Sequence, residues 1–431
     1  MMANHHDNSS MNAVPLLSEW KHHELGFVED KDQTLHPSTT KTVSFIGTCL
    51  NGLSALSGVG ILSIPYALAT GGWLSLILLF VISMVAFYSG LLIKRCMDKD
   101  CNIKTYPDIG DLAFGKIGRL LVQGAMCIDL YLTASGFLIL EGDNLDNLFP
   151  NTEIPGLAIG GKQLFVILVG IIIMPTVWLD DLSLLSYISA SGVLASAIII
   201  CSVFSVATFD GSVGFNAKGN LLNWNGIPTA VNLYAFCYSA HTVFPSLYNS
   251  MRNKHQFSNV LIVCFGLSAA SYACMAIIGY LMFGAEVESQ ITLSLPINRI
   301  SSQIAIYTTL VNPISKYALV VTPVINALKG LFPQQHKNSR LISILISTTL
   351  VISSVIVALT VPLFAYLISL VGAFLGISTA IILPCACYLK ISGTYNKFGI
   401  ETVAIVTIIF LGVVIGIYGT HTALVEIINH L

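Results

Sequence analysis

The stretch that decides the fold is "LSGVGILSIPYALATGGW", which runs from Leu56 to Trp73. It lies in an apolar neighbourhood, yet it contains four glycines and Pro65, residue types that weaken or break helices. In a bilayer every unpaired backbone group carries a large energetic cost, so a break needs a reason. Two reasons remain open at this point: close packing between helices, which small residues permit, or exposed backbone groups that bind a ligand.

The composition of the whole chain is that of a polytopic membrane protein. Of the 431 residues, 55% are hydrophobic and only 10% are charged, whereas soluble domains carry about 25% charged residues. The net charge is −2 and no basic run indicates nucleic acid. None of the ten cysteines forms a CxxC pair, so we expect no disulfide framework, metal site or cofactor. The polar residues 1–40 are expected to form a disordered cytosolic tail.

The remaining residues, 41–431, are expected to form one transporter-like domain that crosses the bilayer repeatedly. A span needs about 20 apolar residues, and eleven segments meet this requirement: 43–70, 73–94, 118–140, 162–179, 183–208, 226–250, 257–283, 301–329, 341–361, 363–389 and 400–421. With the N-terminus in the cytosol, sixteen lysines and arginines fall on the inside and three on the outside. The positive-inside rule therefore predicts a cytosolic N-terminus and a lumenal or extracellular C-terminus.

The sixth span carries a second interruption. "LYAFCYSAHTVFPSLYNSM", from Leu233 to Met251, places polar side chains in mid-span and a proline directly after them. The two breaks are five spans apart, so the two helices cross in opposite directions. This pattern is typical of an inverted five-plus-five repeat with two broken helices at the bilayer midplane. We predict an all-α fold with repeat one at about 43–208, repeat two at about 226–389 and an additional span at 400–421.

Two broken helices that meet would offer complementary backbone groups. The half-helix that begins near Leu62 presents free N–H groups and the positive end of its dipole, and the half-helix that ends near Phe236 presents carbonyls. A zwitterion such as a free amino acid satisfies both. The candidate substrate-binding residues are Ser57, Gly58, Val59, Gly60, Ile61, Phe236, Cys237 and Ser239. Tight helix packing at the glycines remains the alternative.

Several motifs resemble the amino acid/auxin permease family, and most closely its plant group of vacuolar neutral amino-acid transporters. They are "LNGLSALSGVGILSIPYALATGGW", "TYPDIGDLAFGKIGR", "LEGDNLDNLFP", "YAFCYSAHTVFPSLYNSM", "GYLMFG" and "NPISKYAL". The resemblance implies the leucine-transporter-like fold, with eleven spans and proton-coupled movement of neutral amino acids. Antiport across the vacuolar membrane is the prediction, and symport remains open. The plasma membrane and a related small acid such as auxin remain alternatives. Sodium-coupled relatives are expected to have asparagine at the position of Ser54, so the serine favours protons as the coupling ion.

Ionisable side chains inside predicted spans are functional candidates, because charge at membrane depth is costly. Lys316 lies too deep in its span to reach water, and it is expected either to take part in coupling or gating or to form a permanent ion pair. Asp129 is its candidate partner, or accepts hydrogen bonds from neighbouring hydroxyls. His241, beside the second break, is either a proton relay or a packing residue. Glu141 and Asp143 are expected to be solvated or to cap the third span.

Other classes of function leave different signatures. A membrane hydrolase would need a nucleophile with a base, or paired acids, and the chain contains no GxSxG, HExxH or GxGD motif. We therefore predict no enzyme activity. An amino-acid sensor of the same fold would bind the ligand without turnover, and it remains the alternative to a carrier. The predicted partners are a small amino acid, the proton and the lipid bilayer.

Overall fold

The computed structural model describes most of the chain after the N-terminal segment. The described residues are 42–150, 152, 160–178, 185–209, 213–215, 219–333, 339–361, 363–393 and 399–429, with side chains in 185–209 described from residue 192. The predicted disordered tail at residues 1–40 lies outside them.

Helices make up nearly all of the described structure, and an isolated parallel bridge joins Val43 to Met251. In chain order the α-helices are α1 Phe45–Leu56, α2 Ile64–Gly71, α3 Ser75–Lys99, α4 Tyr106–Leu148, α5 Gly161–Val177, α6 Leu185–Phe209, α7 Ile227–Cys237, α8 Phe244–Ser250, α9 Phe257–Phe283, α10 Ile291–Ser294, α11 Ile300–Lys329, α12 Arg340–Thr360, α13 Phe364–Leu370, α14 Leu383–Ser392 and α15 Ile400–Asn429. Two π-helical segments, Val371–Gly376 and Ser378–Ile382, make α13 and α14 parts of one long helix.

The first interruption is where the sequence predicts it. α1 ends at Leu56, a 3₁₀ segment covers Val59–Ser63, and α2 begins at Ile64 with a bend of 47° between the two arms. Pro65 lies in the first turn of α2. The N–H groups of a first turn have no acceptor within the helix, so the proline, which lacks an N–H, costs no helical hydrogen bond there. The proline thus starts the second half-helix, whereas the first ends nine residues earlier, at Leu56.

The second interruption has the same organisation. α7 ends at Cys237, a 3₁₀ turn covers His241–Val243, and α8 follows with Pro245 in its first turn. The bridge between Val43 and Met251 ties the start of the first broken helix to the end of the second. Two opposed helices with the same break are what an inverted repeat requires.

The number of spans is a separate matter from the fold. Among the described residues, eight helices are long and apolar enough to cross a bilayer, or nine if the two arms of the bent first helix count as one span. α5 is apolar but has only 17 residues, and the second broken helix consists of pieces of 11 and 7 residues. The total of eleven spans therefore stays a prediction.

The third span corrects the sequence-based expectation at its outer end. The predicted segment stops at residue 140, but α4 continues to Leu148. Glu141 and Asp143, expected to be solvated or to cap the helix, are 0% and 8% exposed. The expectation was wrong because neighbouring elements cover two further helical turns, so the acids do not mark the end of the helix.

The C-terminal end of the first broken helix is hydrogen-bonded to the segment that precedes α7. Trp73 and Leu74 donate backbone hydrogen bonds to the carbonyls of Asn220 and Leu221. Gly72 has a φ of 81°, and a Cβ at this position would lie 2.9 Å from the same backbone. Glycine is therefore required both for the turn and for the close approach of the two chain segments.

Candidate functional site

Both breaks open onto one cavity of about 590 Å³. The residues that line it come from α1, the two breaks, α4, α8 and α11, and include Gly58, Val59, Gly60, Phe236, Cys237 and Ser239. Six of the eight predicted substrate-binding residues therefore share one cavity. Its volume is within the usual range of small-molecule sites, about 300–1,000 Å³.

One face of α4 forms the wall opposite the breaks. Met126, Asp129, Leu130, Thr133 and Phe137 all line the cavity, at the spacing of three and four residues that places side chains on one helix face. Sequence reasoning singled out Asp129 alone. The helical spacing on either side of Asp129 was the signal that could have found the others.

The two glycines of the first break have different surroundings. A Cβ at Gly58 would have open space around it, since the nearest atom is the Leu56 carbonyl oxygen at 4.0 Å. A Cβ at Gly60 would lie 2.7 Å from the Cys237 sulfur and 3.2 Å from the Phe236 ring. Gly60 therefore allows the two broken helices to touch, whereas Gly58 leaves the cavity open beside the first amides of the 3₁₀ segment.

A buried tyrosine that sequence reasoning missed connects the breaks. The Tyr272 hydroxyl, on α9, donates to the Leu56 carbonyl at the end of α1 and lies 3.2 Å from the Cys237 carbonyl at the end of α7. Tyr272 is fully buried. Among many apolar and aromatic residues of α9, no sequence pattern distinguishes it.

We expect Tyr272→Phe to weaken both folding and ligand binding. Loss of a buried hydroxyl that satisfies backbone carbonyls should lower stability by about 1–3 kcal/mol, and should loosen the relative position of the two breaks. Thermal unfolding and equilibrium binding of radiolabelled amino acids measure the two effects. Tyr106→Phe is the matched control, because Tyr106 donates to the Thr379 carbonyl at 2.6 Å and does not line the cavity. A Tyr272→Phe protein with normal affinity would contradict the positioning role.

Lys316 projects from α11 toward the first broken helix. Its Nζ lies 3.4 Å from the Ser54 carbonyl oxygen, and both residues line the cavity. Lys316 is 8% exposed. A Cβ at Gly192 of α6 would lie 2.8 Å from Nζ, so the ammonium occupies a narrow space between α1, α6 and α11.

Asp129 faces the same cavity but is not joined to Lys316 by an ion pair within 4.0 Å. Its side chain is 5% exposed and has no hydrogen-bond partner among the described residues. The cavity therefore holds one carboxyl group and one ammonium group that are separate from each other. Each is available to a ligand or to a proton.

Three other predicted site residues do not line the cavity. The His241 ring is fully buried, with Nε2 2.8 Å from the Ser89 hydroxyl and 2.9 Å from the Ala86 carbonyl. Ser57 and Ile61 are likewise buried outside it. These positions are adjacent to the breaks in sequence, but the 3₁₀ turns direct them into the packing against neighbouring helices.

Comparison with known proteins gives a family and a fold. Residues 41–425 match the family described as "Transmembrane amino acid transporter protein". The chain is 53% identical to Amino acid transporter AVT1I of Arabidopsis thaliana, over 93% of this chain and all of the relative, and 26% identical to the Vesicular GABA transporter of Caenorhabditis elegans, over 84% and 76%. A Na⁺-coupled sialic acid symporter superposes with a TM-score of 0.55 over 88% of both chains, at 10% identity. This similarity confirms the leucine-transporter-like fold.

Proposed function

Because this chain belongs to the transmembrane amino acid transporter protein family, we propose that it carries neutral amino acids across a membrane by alternating access, driven by a proton gradient. The observation that carries this proposal is the single cavity onto which both broken helices open. The family and its relatives are transporters, which confirms the sequence-based exclusion of an enzyme.

The chemistry of the cavity suits a zwitterion with an apolar side chain. The 3₁₀ segment that starts at Val59 presents N–H groups to a carboxylate, and the carbonyls at the end of α7 accept from an ammonium. Apolar residues from α4 and α11, including Met126, Phe137 and Leu319, surround this polar region. An auxin-like acid lacks the ammonium, so it would offer no hydrogen-bond donor to the carbonyls at the end of α7.

The lining of the cavity extends toward one end of the molecule. From the breaks it runs toward the end of the molecule where α1 begins and α8 ends, and its lining includes Val43, Ser246 and Ser250. On the predicted topology this is the cytosolic side. The outer side is closed over α2 by the segment before α7. We infer an inward-open conformation, and an outward-open one must exist for transport.

Lys316 is our candidate for the coupling group. Its ammonium lies beside the Ser54 carbonyl, on α11 and facing the first broken helix, the region where the resemblance implies a sodium ion in sodium-coupled relatives. An ammonium that gains and loses its proton would supply and withdraw positive charge there. The proposed membrane is that of the vacuole, with the plasma membrane as the alternative.

The predicted orientation has a direct test. We expect a tag placed before Met1 to be cytosolic and a tag placed after Leu431 to be lumenal or extracellular, because the basic residues cluster on the inside. Protease protection of sealed membranes reports the side of each tag. Two termini on the same side would contradict the odd number of spans.

Counterflow tests the transport proposal. Purified protein in proteoliposomes loaded with unlabelled amino acid should exchange it for labelled amino acid outside, and an imposed pH gradient should drive accumulation. A panel of neutral, charged and indole-containing acids defines the substrate class. Binding without counterflow would support the sensor, and counterflow insensitive to a pH gradient would contradict proton coupling.

A further inference from the structure

The outer third of α4 buries a polar network that the cavity does not use. The Asp143 carboxylate lies 2.5 Å from the Lys162 ammonium and accepts a 2.9 Å hydrogen bond from the Gln290 amide. The Asn144 side-chain amide donates to Oε1 of the Gln290 side chain at 2.7 Å. Gln290 is fully buried. The network therefore fastens α4 to the short segment Ser289–Gln290, which we name the strap.

The strap also holds the outer half of the first broken helix. The Ser63 hydroxyl, at the start of α2, donates to the Ser289 carbonyl at 2.8 Å. Beyond the strap lies a second pocket, of about 470 Å³, whose lining includes Asp143, Asp146 and Glu288. The strap thus joins α4 to the start of α2 beside this acidic outer pocket, and we name the strap with these hydrogen bonds the barrier.

Glu141 stands inside that barrier. Phe137, which lines the central cavity, Glu141 and Asn144 follow one another by four and three residues, so they share one face of α4. At 1.5 Å per residue, Glu141 lies about 6 Å along the axis from Phe137 and about 4.5 Å from Asn144. Along α4, Glu141 therefore lies between Phe137, which lines the central cavity, and Asn144, which binds the strap.

The Glu141 carboxyl has no compensation for a negative charge. It is 0% exposed, and neither oxygen has a hydrogen-bond partner among the described residues. Charged groups at this end of α4 include Asp143, Asp146, Lys162 and Glu288, and the ammonium of Lys162 is bound to Asp143. A carboxylate that has lost its water and gained no donor is strongly unfavourable, so the group carries a proton when the barrier is closed.

We propose that Glu141 is a proton-binding latch of the outer barrier, an inference that rests on the proton-linked transport proposed above. Opening the barrier separates the strap from α4 and admits water to the carboxyl. The O–H bond of the carboxyl then breaks, the electron pair remains on oxygen, and the proton passes to water in the outer pocket. Closing the barrier requires the proton to return, because the carboxylate cannot be buried without it. The pH of the outer compartment thereby sets how often the barrier opens.

Hydrogen–deuterium exchange of the full-length protein measures the barrier directly. Between about pH 5 and about pH 8, peptides that contain the strap should exchange faster as pH rises, after correction for intrinsic exchange, with an opening equilibrium that changes by up to about tenfold per pH unit for one linked proton. Glu141→Gln keeps the shape of the protonated acid and cannot ionise. We expect its strap to remain protected at every pH, as in the wild-type protein under acid conditions.

Two further variants keep the outcome interpretable. Glu286→Gln removes an exposed carboxylate from the connection that leads to the strap and should preserve the wild-type pH profile. Glu141→Asp retains a carboxyl and should retain a pH-dependent profile even where Glu141→Gln folds poorly. A wild-type strap whose protection does not change with pH, or a pH profile unchanged in Glu141→Gln, would overturn the latch.

Counterflow in the same preparations separates this inference from the transport proposal. If the strap responds to pH as expected but the wild-type protein shows no exchange of amino acids, the transport proposal is contradicted and the proposed role of Glu141 is retained. If the wild-type protein exchanges amino acids with a strap that is insensitive to pH, the latch fails while transport stands.

Discussion

Gly58→Val should abolish substrate binding while the protein still folds. Gly58 has φ −81° and ψ −167°, extended backbone that valine adopts readily. No atom lies closer than 4.0 Å to the position of its Cβ, so the side chain would enter the cavity without displacing a helix. There it would cover the amides of the 3₁₀ segment. We expect Kd to rise by at least about a hundredfold, roughly 3 kcal/mol.

Equilibrium binding to purified protein, with size-exclusion chromatography and thermal unfolding as checks of folding, measures this effect. Gly266→Val is the matched control, because a Cβ on this exposed glycine of α9 also meets nothing within 4 Å. It should bind normally. Gly60→Val differs from both, since it would press on Cys237 and Phe236 and should destabilise the contact between the two broken helices. Normal affinity in a folded Gly58→Val protein would exclude the proposed carboxylate position.

The close contact that the packing alternative requires is present at Gly60, whereas Gly58 lines the cavity with open space around it, and ligand binding there stays a prediction. The sequence could locate both breaks, because glycine and proline within an apolar run act on the backbone locally. It could not assign Gly58 to the cavity and Gly60 to packing. That distinction depends on which residue of α7 lies opposite, a contact between positions far apart in the chain.

Residues whose role depends on tertiary burial were the least predictable. Glu141 resembles the solvated end of a span in sequence, yet it is fully buried beside Asn144, which binds a residue almost 150 positions later in the chain. His241 adjoins the second break yet points toward Ser89 of α3, because the 3₁₀ turn changes the direction of successive side chains. Tyr272 joins carbonyls of two different helices and has no local signal at all.

Lys316, by contrast, could be singled out from its depth in a predicted span alone, and the tertiary structure adds the groups that surround it. A lysine too deep to reach water must have an internal environment, and the structure supplies the Ser54 carbonyl and the cavity. The ion pair with Asp129, which was one expectation, is not formed within 4.0 Å in this conformation. A permanent structural pair therefore has less support than a group that changes its protonation or its partner.

We expect Lys316→Ala to abolish accumulation driven by a pH gradient while counterflow survives. The substitution removes the ammonium between α11 and the first broken helix, but it leaves the backbone at Gly58 and Val59 in place to bind substrate. Both activities are measured in proteoliposomes and corrected for the amount of folded protein. Lys329→Ala, at the end of the same helix, is the matched control and should accumulate substrate normally.

Lys316→Arg should fail as well, and this variant separates titration from fixed charge. A guanidinium stays protonated at any relevant pH and is larger than an ammonium. The space is already narrow, because even a Cβ at Gly192 would lie 2.8 Å from the present Nζ. If the role of Lys316 were only to supply a constant positive charge beside the Ser54 carbonyl, a folded Lys316→Arg protein would retain gradient-driven accumulation. Full accumulation by Lys316→Ala would contradict both roles, because a proton-coupled carrier cannot lose its coupling group and still concentrate its substrate.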